Sequence, residues 1–184
     1  MLAVLVFLAA AGALLALVAT RPDAFRVERS ATIAAPPATV FALVNDFHQW
    51  ARWSPWEKLD PQMHKAFEGA PSGVGASLHW LGNKKAGEGR MTITESQPST
   101  HLVTALEFIR PFAASNVAAF ALAPVPGGVA VTWSMTGRNN FMLKAFGLFA
   151  NMDQLIGKDF EEGLANLKRV AEEGTARAGP PASA

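Results

Sequence analysis

Few side chains in this chain are suited to acid–base chemistry. Its 184 residues include no cysteine and no tyrosine, which excludes a thiolate nucleophile, a disulfide framework and a cysteine-based zinc site. Among the four histidines, His48 and His64 are candidates for a base beside a pocket, because imidazole titrates near neutral pH. None of the histidines has the i, i+4 spacing or the carboxylate neighbours of a metal site. We therefore expect neither a metal nor a cofactor.

Glu107 and Arg110 are the other candidates, because a carboxylate that faced an apolar interior would have a raised pKa. Leu106 and Phe108 flank Glu107, however, and together with Leu102 they take the inner face of a strand. This alternation places Glu107 on the outer face. We identify no catalytic residue from the sequence.

Trp50, Trp53 and Trp56 recur at every third residue in a segment that also carries His48. On a helical turn they would form a loose row at the mouth of the fold. Such a row is either an aromatic lid over a ligand or a plug that closes the end of a small core. Aromatic side chains dominate core packing, which favours the plug.

The first residues form an apolar segment that could cross a membrane. Residues 2–20 carry no charge and as a helix would span about 28 Å, close to the roughly 30 Å of a bilayer's hydrocarbon core. No basic residue precedes the segment, which favours a transmembrane anchor over residues 1–21; the alternative is a signal-like segment. Arg21, Arg26 and Arg29 follow it, so we expect a single-pass protein of a bacterial inner membrane with its soluble domain in the cytoplasm.

The rest of the chain reads as one domain and a tail. The near balance of 16 basic and 15 acidic residues gives no basis for nucleic-acid binding. Residues 22–173 are long enough for a single globular domain with its own core. Residues 174–184 are small and rich in alanine and proline, and we expect a disordered tail there.

Short alternating segments predict strands, and turns rich in glycine and proline separate them. The short connections imply antiparallel neighbours. After the first strand we expect two short helices, one that begins at Pro36 or Pro37 and one that ends before Pro55. The predicted strands cover residues 26–34, 63–68, 75–82, 87–97, 101–110, 114–123 and 128–138.

A long amphipathic helix is predicted over residues 140–173, because apolar residues recur on one face at spacings of three and four. Its first part, 141–150, is apolar almost all round and serves either as a gate over a cavity or as a contact with the bilayer or another subunit. A break should separate it from the gripped helix, 152–172. Gly157 and Gly163 leave space on that helix. The order of elements predicts an α+β fold in which a curved antiparallel sheet wraps around one helix.

Some segments of the chain resemble a known family. Residues 35–41, APPATVF, look like that family's opening of the first helix. Residues 50–56, WARWSPW, resemble its tryptophan segment, and residues 157–168, GKDFEEGLANLK, are similar to its helical ending. The family is the START-like, or SRPBCC, superfamily, in its polyketide cyclase and dehydrase branch. The resemblance covers about residues 25–173 and implies the helix-grip fold, a seven-stranded curved antiparallel sheet around a long C-terminal helix.

The resemblance and the apolar N-terminus lead us to expect a membrane-tethered domain that binds a small hydrophobic molecule, either a lipid or a polyketide-like compound, between the sheet and the long helix. One alternative is an enzyme of cyclase, dehydrase or hydrolase type, for which His64, Glu107 and Arg110 are the first residues to consider. The other is a structural or interaction domain with a filled core. The expected cavity lining is Trp53, Leu78, Trp80, Met91, Ile93, Val131, Trp133, Phe149, Ile156 and Phe160.

Overall fold

A computed structural model of the chain describes residues 1–139, 141–148 and 152–178. Its strands are β1 Ala24–Ile33, β2 His64–Gly69, β3 Ala76–Leu81, β4 Glu88–Gln97, β5 His101–Arg110, β6 Ala114–Val125 and β7 Gly128–Arg138. They form a seven-stranded sheet in the order β1-β7-β6-β5-β4-β3-β2, with every neighbouring pair antiparallel. The predicted antiparallel sheet is confirmed, with strand ends that differ from the expected ones by up to two residues.

Helices complete the described part of the chain: α1 Leu2–Ala19, α2 Pro37–Val44, α3 Phe141–Phe146 and α4 Met152–Ala178, with 3₁₀ helices at Phe47–Arg52 and Pro55–Leu59. The second short helix ends at Arg52, before Pro55, as expected, and Pro55 then begins a further 3₁₀ helix that was not predicted. Proline suits the first position of a helix, where the missing N–H has no partner to lose. Ser54 caps this helix by accepting a hydrogen bond from the backbone N–H of Trp56.

The C-terminal helix is divided into α3 and α4, as the sequence predicts. Phe149, in the connection between them, lies outside the described residues. Helix α4 continues past Glu173, so the prediction of a disordered tail is wrong for residues 174–178. Alanine and arginine are good helix formers, and Thr175 Oγ1 donates a hydrogen bond to the carbonyl of Ala171 at 3.0 Å.

Alternation along the strands gives the sheet a concave face towards α4 and an opposite, convex face. Val131 and Trp133 of β7 point to the concave side and are buried. The register pairs Trp133 with Phe120 of β6, which is also buried. Glu107 of β5 is exposed on the convex face, as its alternation with Leu106 predicts.

Aromatic rings fill the space between α4 and the middle of the concave face. The indole ring of Trp133 stacks on Phe160 of α4, with ring centroids 4.1 Å apart, and on Phe120, with centroids 4.9 Å apart. The rings of Trp50 and Trp53 approach Trp133 edge-on at 6.5 and 5.6 Å. Trp50 and Trp53 are both buried, so they plug the core and do not form a lid.

Gly157 and Gly163 of α4 admit neighbouring side chains instead of leaving space, so the sequence interpretation of these two glycines is wrong. A Cβ at Gly163 would lie 2.6 Å from Cζ3 of Trp133 and 3.1 Å from Cδ of Pro55. A Cβ at Gly157 would lie 2.0 Å from Nη2 of Arg29. Each glycine thus marks a point where a side chain from the sheet or from the 3₁₀ segment packs against the helix backbone.

Arg29, a charged residue on the concave face, fixes α4 to β1. Its Nε donates a hydrogen bond to Glu161 at 2.7 Å. Its Nη1 donates to Asp153 Oδ1 at 2.9 Å and to the carbonyl of Glu28 at 2.8 Å. Its Nη2 donates to Asp153 Oδ2 at 3.0 Å and to the carbonyl of Asp153 at 3.1 Å. All the N–H groups of the guanidinium are therefore used. These hydrogen bonds raise the pKa of Arg29 further above its ordinary value and hold the pKa of Asp153 below its usual range.

One substitution at two positions of α4 tests the close packing. Gly163→Ala should lower the free energy of unfolding by about 1–3 kcal/mol, because the added methyl group overpacks the Trp133 contact. At Gly174 an added methyl group meets open space, so Gly174→Ala should raise the free energy of unfolding by about 0.5–1 kcal/mol through its higher helix propensity. Chemical denaturation of the full chain in detergent, followed by tryptophan fluorescence, measures both. Equal stabilisation by the two variants would contradict this account.

The Arg29 contact predicts an acid dependence of stability. Because the pKa of Asp153 is depressed in the folded state, its contribution is present above the ordinary aspartate pKa and is lost as the pH falls through the folded value. Asp153→Asn should therefore unfold more easily than the wild type near about pH 7, and the difference should shrink towards about pH 2. Glu173→Gln, in a pair with Arg169 whose side chains are both more than half exposed, is the control and should unfold like the wild type. A pH-independent difference for Asp153→Asn would contradict the prediction.

Candidate functional site

Helix α4 covers only part of the concave face. Asp153 in its first turn binds Arg29, and Glu172 towards its other end accepts a hydrogen bond from the backbone N–H of Ala34 at 2.8 Å. Within the described residues, α4 therefore follows β1 from about Arg29 onward and leaves the start of β1 uncovered. We call the part under α4 the filled half. The uncovered part, the open half, presents the half-buried side chains Phe25, Trp80, Met91, Phe108 and Asn116.

An aromatic pair forms one wall of the open half. Trp80 of β3 and Phe108 of β5 meet edge-to-face with ring centroids 5.9 Å apart. Gly89 of β4 lies between them in the register, and a Cβ there would lie 2.3 Å from the ring of Trp80. The indole N–H of Trp80 donates to the carbonyl of Ala86 at 3.1 Å, which fixes the ring across β4. The wall is thus apolar, preformed and partly accessible to solvent.

Asn116 of β6 supplies the open half with a free amide. It faces the concave side directly across from Gly137, where a Cβ would lie 2.0 Å from Asn116 Oδ1 and 2.6 Å from the ring of Phe25. Within the described part of the chain its side chain makes no hydrogen bond. The amide can therefore donate and accept hydrogen bonds to a polar group of a bound molecule.

The expected lining residues divide between the two halves. Trp80, Met91 and Ile156 are half-buried and contact the edge of the core, and Phe149 lies outside the described residues. That these residues bind a ligand stays a prediction. The fully buried members, all in the packed core, are Trp53, Leu78, Ile93, Val131, Trp133 and Phe160.

Phe25 and Asn116 were missed by the sequence interpretation. The signal was present for Asn116, since it alternates with Ala118 and Phe120 on β6 and so shares their inner face. For Phe25 the predicted strand began one residue too late. Both residues lie at the end of the sheet, where alternation is least reliable because strand boundaries are uncertain.

The indole N–H of Trp133 lies in the filled half without a partner. Among the buried side-chain polar atoms of the described residues, this nitrogen is the one that has no hydrogen-bond partner. Such an unpaired donor costs about 1–3 kcal/mol. Burial of an indole ring of roughly 200 Å² contributes about 5 kcal/mol, so the ring stays inside despite this cost.

The acid–base candidates do not meet. His64 is exposed at the β2 edge, Glu107 is exposed on the convex face, and Arg110 donates to Glu88 at 2.6 Å. His48 lies 2.8 Å from Asp46 Oδ1 and its ring stacks on Phe67 of the edge strand β2. Among the described residues, no group of three or more His, Asp or Glu side chains could hold a metal ion.

His79, Glu88 and Arg110 form a charged group on the convex side. His79 Nε2 lies 3.1 Å from Glu88 Oε1, opposite the contact with Arg110. Burial raises the pKa of Glu88, but hydrogen bonds and charge from Arg110 and His79 outweigh this effect and lower it overall. The carboxylate is thus held ionised between two partners and serves to link β3, β4 and β5.

Two surface clefts lie outside the space between the sheet and α4. One of about 410 Å³ is on the outer side of β5, β6 and β7, beside Glu107 and Arg138. The other, of about 470 Å³, lies between α2 and the C-terminal part of α4, beside Asp46 and Arg52. Neither brings together the residues predicted to bind a ligand.

Helix α1 joins the domain beside the open half. It is long and apolar enough to cross a membrane, although a signal sequence can have the same length and composition. It contacts α3, and Val18 near its end is buried. The linker that follows is held by Asn139, which donates to the carbonyls of Asp23 at 2.9 Å and Pro22 at 3.0 Å. A hydrogen bond from Lys144 lowers the pKa of Asp23.

Comparisons with known proteins agree with this fold. The chain resembles an uncharacterised protein from Rhizobium leguminosarum with a TM-score of 0.60 and 15% identity, over 82% of this chain and 96% of that one. The Aha1 dimer structure from Colwellia psychrerythraea gives a TM-score of 0.58 and 13% identity, over 82% and 98%. The di-domain ARO/CYC StfQ of the steffimycin biosynthetic pathway gives 0.60 and 12%, over 86% and 53%.

No curated protein matches the chain. The model of one protein family, described as polyketide cyclase / dehydrase and lipid transport, matches residues 24–172. This match covers nearly all of the sheet and α4, and confirms the resemblance seen in the sequence. The chain therefore belongs to the polyketide cyclase / dehydrase and lipid transport family.

Proposed function

We propose that this protein binds a small hydrophobic molecule in the open half while α1 holds it at a membrane. The observation that carries the proposal is the open half itself, a partly exposed apolar surface that includes the amide of Asn116, for which the described residues supply no hydrogen-bond partner. Binding sites for small molecules combine such apolar walls with a few placed polar groups. Trp80, Met91 and Phe108 supply the wall, and Asn116 supplies the polar group.

Energetics favour the open half over the filled half. A ligand between Trp133 and Phe160 would break their stack, at about the 3–5 kcal/mol cost of deleting a large aromatic side chain. In the open half each CH₂ group that leaves water contributes about 0.8 kcal/mol, and no core contact is lost. An acyl chain or a polyketide-like ring system with a carbonyl or hydroxyl group near Asn116 fits this surface.

Binding is favoured over acid–base catalysis by the positions of the candidate residues. A catalytic pair would need two polar groups that converge on the ligand. His64, Glu107 and Arg110 lie at the sheet edge, on the convex face and in an ion pair with Glu88. The family description includes lipid transport, and StfQ belongs to a biosynthetic pathway; lipid and polyketide-like compounds are accordingly the two ligand classes to test.

The tether rests on α1 and on the charges around it. Its 18 residues span about 27 Å as a helix, which matches a bilayer core. Arg21 and Arg26 follow the helix, and basic residues next to a span favour the cytoplasmic side. The domain therefore lies on the cytoplasmic surface of the membrane, with α1 retained.

Photo-crosslinking tests the ligand site. The full chain in phospholipid vesicles is irradiated with a fatty acid that carries a diazirine, and labelled residues are identified by mass spectrometry. Labels should appear near Met91, Phe108 and Asn116. Asn116→Trp should fill the open half and lower labelling of Met91 by about tenfold, equivalent to a loss of about 1.4 kcal/mol.

The control is the next residue along the same strand. Val117 points to the convex face and is 46% exposed, so Val117→Trp should leave the labelling unchanged. Near-UV circular dichroism checks that both variants keep their packed tryptophans. Labels confined to α1 or to the convex face in the wild type would contradict the proposal and favour a domain without a ligand.

A further inference from the structure

Large apolar side chains are exposed around the end of the domain that carries the open half. Phe112, in the β5–β6 turn, is 68% exposed, Phe141 at the start of α3 is 54% exposed, and Ile109 at the end of β5 is 45% exposed. Several exposed large apolar side chains at one end of a domain mark a candidate site of interaction.

The register of the sheet places these residues at one end. Ala24 of β1 pairs with Arg138 of β7, Ala114 of β6 pairs with Phe108, and Arg110 pairs with Glu88 of β4. The β5–β6 turn, the β3–β4 turn and the start of α3 therefore follow the same edge of the strands. Helix α1 enters the domain at this edge, since Asp23 and Asn139 are hydrogen-bonded.

The same end carries basic side chains without acidic partners. Arg21 follows α1, Lys84 and Lys85 lie in the β3–β4 turn, and none of them forms an ion pair within the described residues. Of the acidic residues nearby, Asp23 is bound by Lys144 and Glu88 by Arg110 and His79, and the carboxylate of Asp60 accepts a hydrogen bond from the backbone N–H of Asn83 at 2.7 Å. This end of the domain thus exposes both large apolar side chains and basic side chains that form no ion pair within the described residues.

We propose that this end rests on an anionic bilayer surface, the surface of the membrane that α1 spans. Phe112 and Phe141 enter the headgroup region, and Arg21, Lys84 and Lys85 lie against anionic headgroups. Aromatic side chains beside basic ones are the combination that binds such an interface. The inference rests on the proposed tether, because α1 supplies the continuity with the bilayer.

This placement has a consequence for the proposed ligand. The open half lies at the same end of the sheet as Phe112, because Phe108 is close to the end of β5 and Trp80 is close to the end of β3. A hydrophobic molecule can then pass between the leaflet and the open half without crossing water. The domain would take its ligand from the membrane surface and not from solution.

Single-cysteine labelling tests the docking, and the absence of native cysteines makes it selective. An environment-sensitive fluorophore is attached at Phe112→Cys, and the full chain is reconstituted in vesicles of phosphatidylcholine and phosphatidylglycerol that contain doxyl-labelled lipid. Val74→Cys is the control, because Val74 is 59% exposed in the β2–β3 turn at the opposite end of the sheet. Quenching should be at least about threefold stronger at position 112 than at position 74.

Charge is tested in the same vesicles. Lys84→Glu together with Lys85→Glu should weaken quenching at position 112 when phosphatidylglycerol is present and should change it little in phosphatidylcholine alone. Equal, weak quenching at positions 112 and 74 would overturn the docking, even if photo-crosslinking finds the fatty acid in the open half. Strong quenching at position 112 without such crosslinks supports the docking and contradicts only the ligand site. A chain that does not remain with the vesicles overturns both the tether and the docking.

Discussion

The position of α4 over the sheet depends on the guanidinium of Arg29. This cation lies on the concave face, where each of its N–H groups has an acceptor in β1 or α4. Gly157 allows the guanidinium to lie against the helix backbone, since any side chain there would displace it. A cation in this partly buried place loses stabilisation with each hydrogen-bond partner that is removed. The start of the helix is thereby fixed midway along β1, and this boundary separates the filled half from the open half.

The filled half and the open half differ in how closely their side chains pack. In the filled half, Trp133 packs between Phe160 and Phe120, and Gly163 brings the helix within contact distance of the indole ring. Close packing of this kind gives stability and a unique structure but leaves no space for a ligand between these rings. Within the described residues α4 does not extend over the open half, and Met91 and Asn116 are partly accessible there. The fold therefore concentrates its close packing in one half and leaves the proposed binding surface of the other half partly accessible.

The sequence predicted the architecture but not this division. Alternation placed Val131 and Trp133 inside and Glu107 outside, because each strand has one buried face. Arg29 alternates with Val27 on the inner face of β1, but its carboxylate partners, Asp153 and Glu161, lie more than a hundred residues away along the chain. The sequence interpretation treated Gly157 as a position that leaves space. A glycine in a sequence shows that a side chain is absent, but it does not show which neighbouring side chain packs against that position. The boundary of the open half follows from these distant contacts, which no local pattern contains.

The central claim is that a hydrophobic molecule binds in the open half and leaves the filled half unchanged. Two residues on the same face of β4 separate these outcomes: Met91 is half-buried in the open half, and Ile93 is fully buried under the core. Methyl NMR of the full chain in lipid nanodiscs, during titration with a fatty acid, observes both side chains at once. The account predicts that the Met91 methyl resonance shifts while that of Ile93 stays in place. Equal shifts of both resonances, or a shift of Ile93 alone, would contradict it.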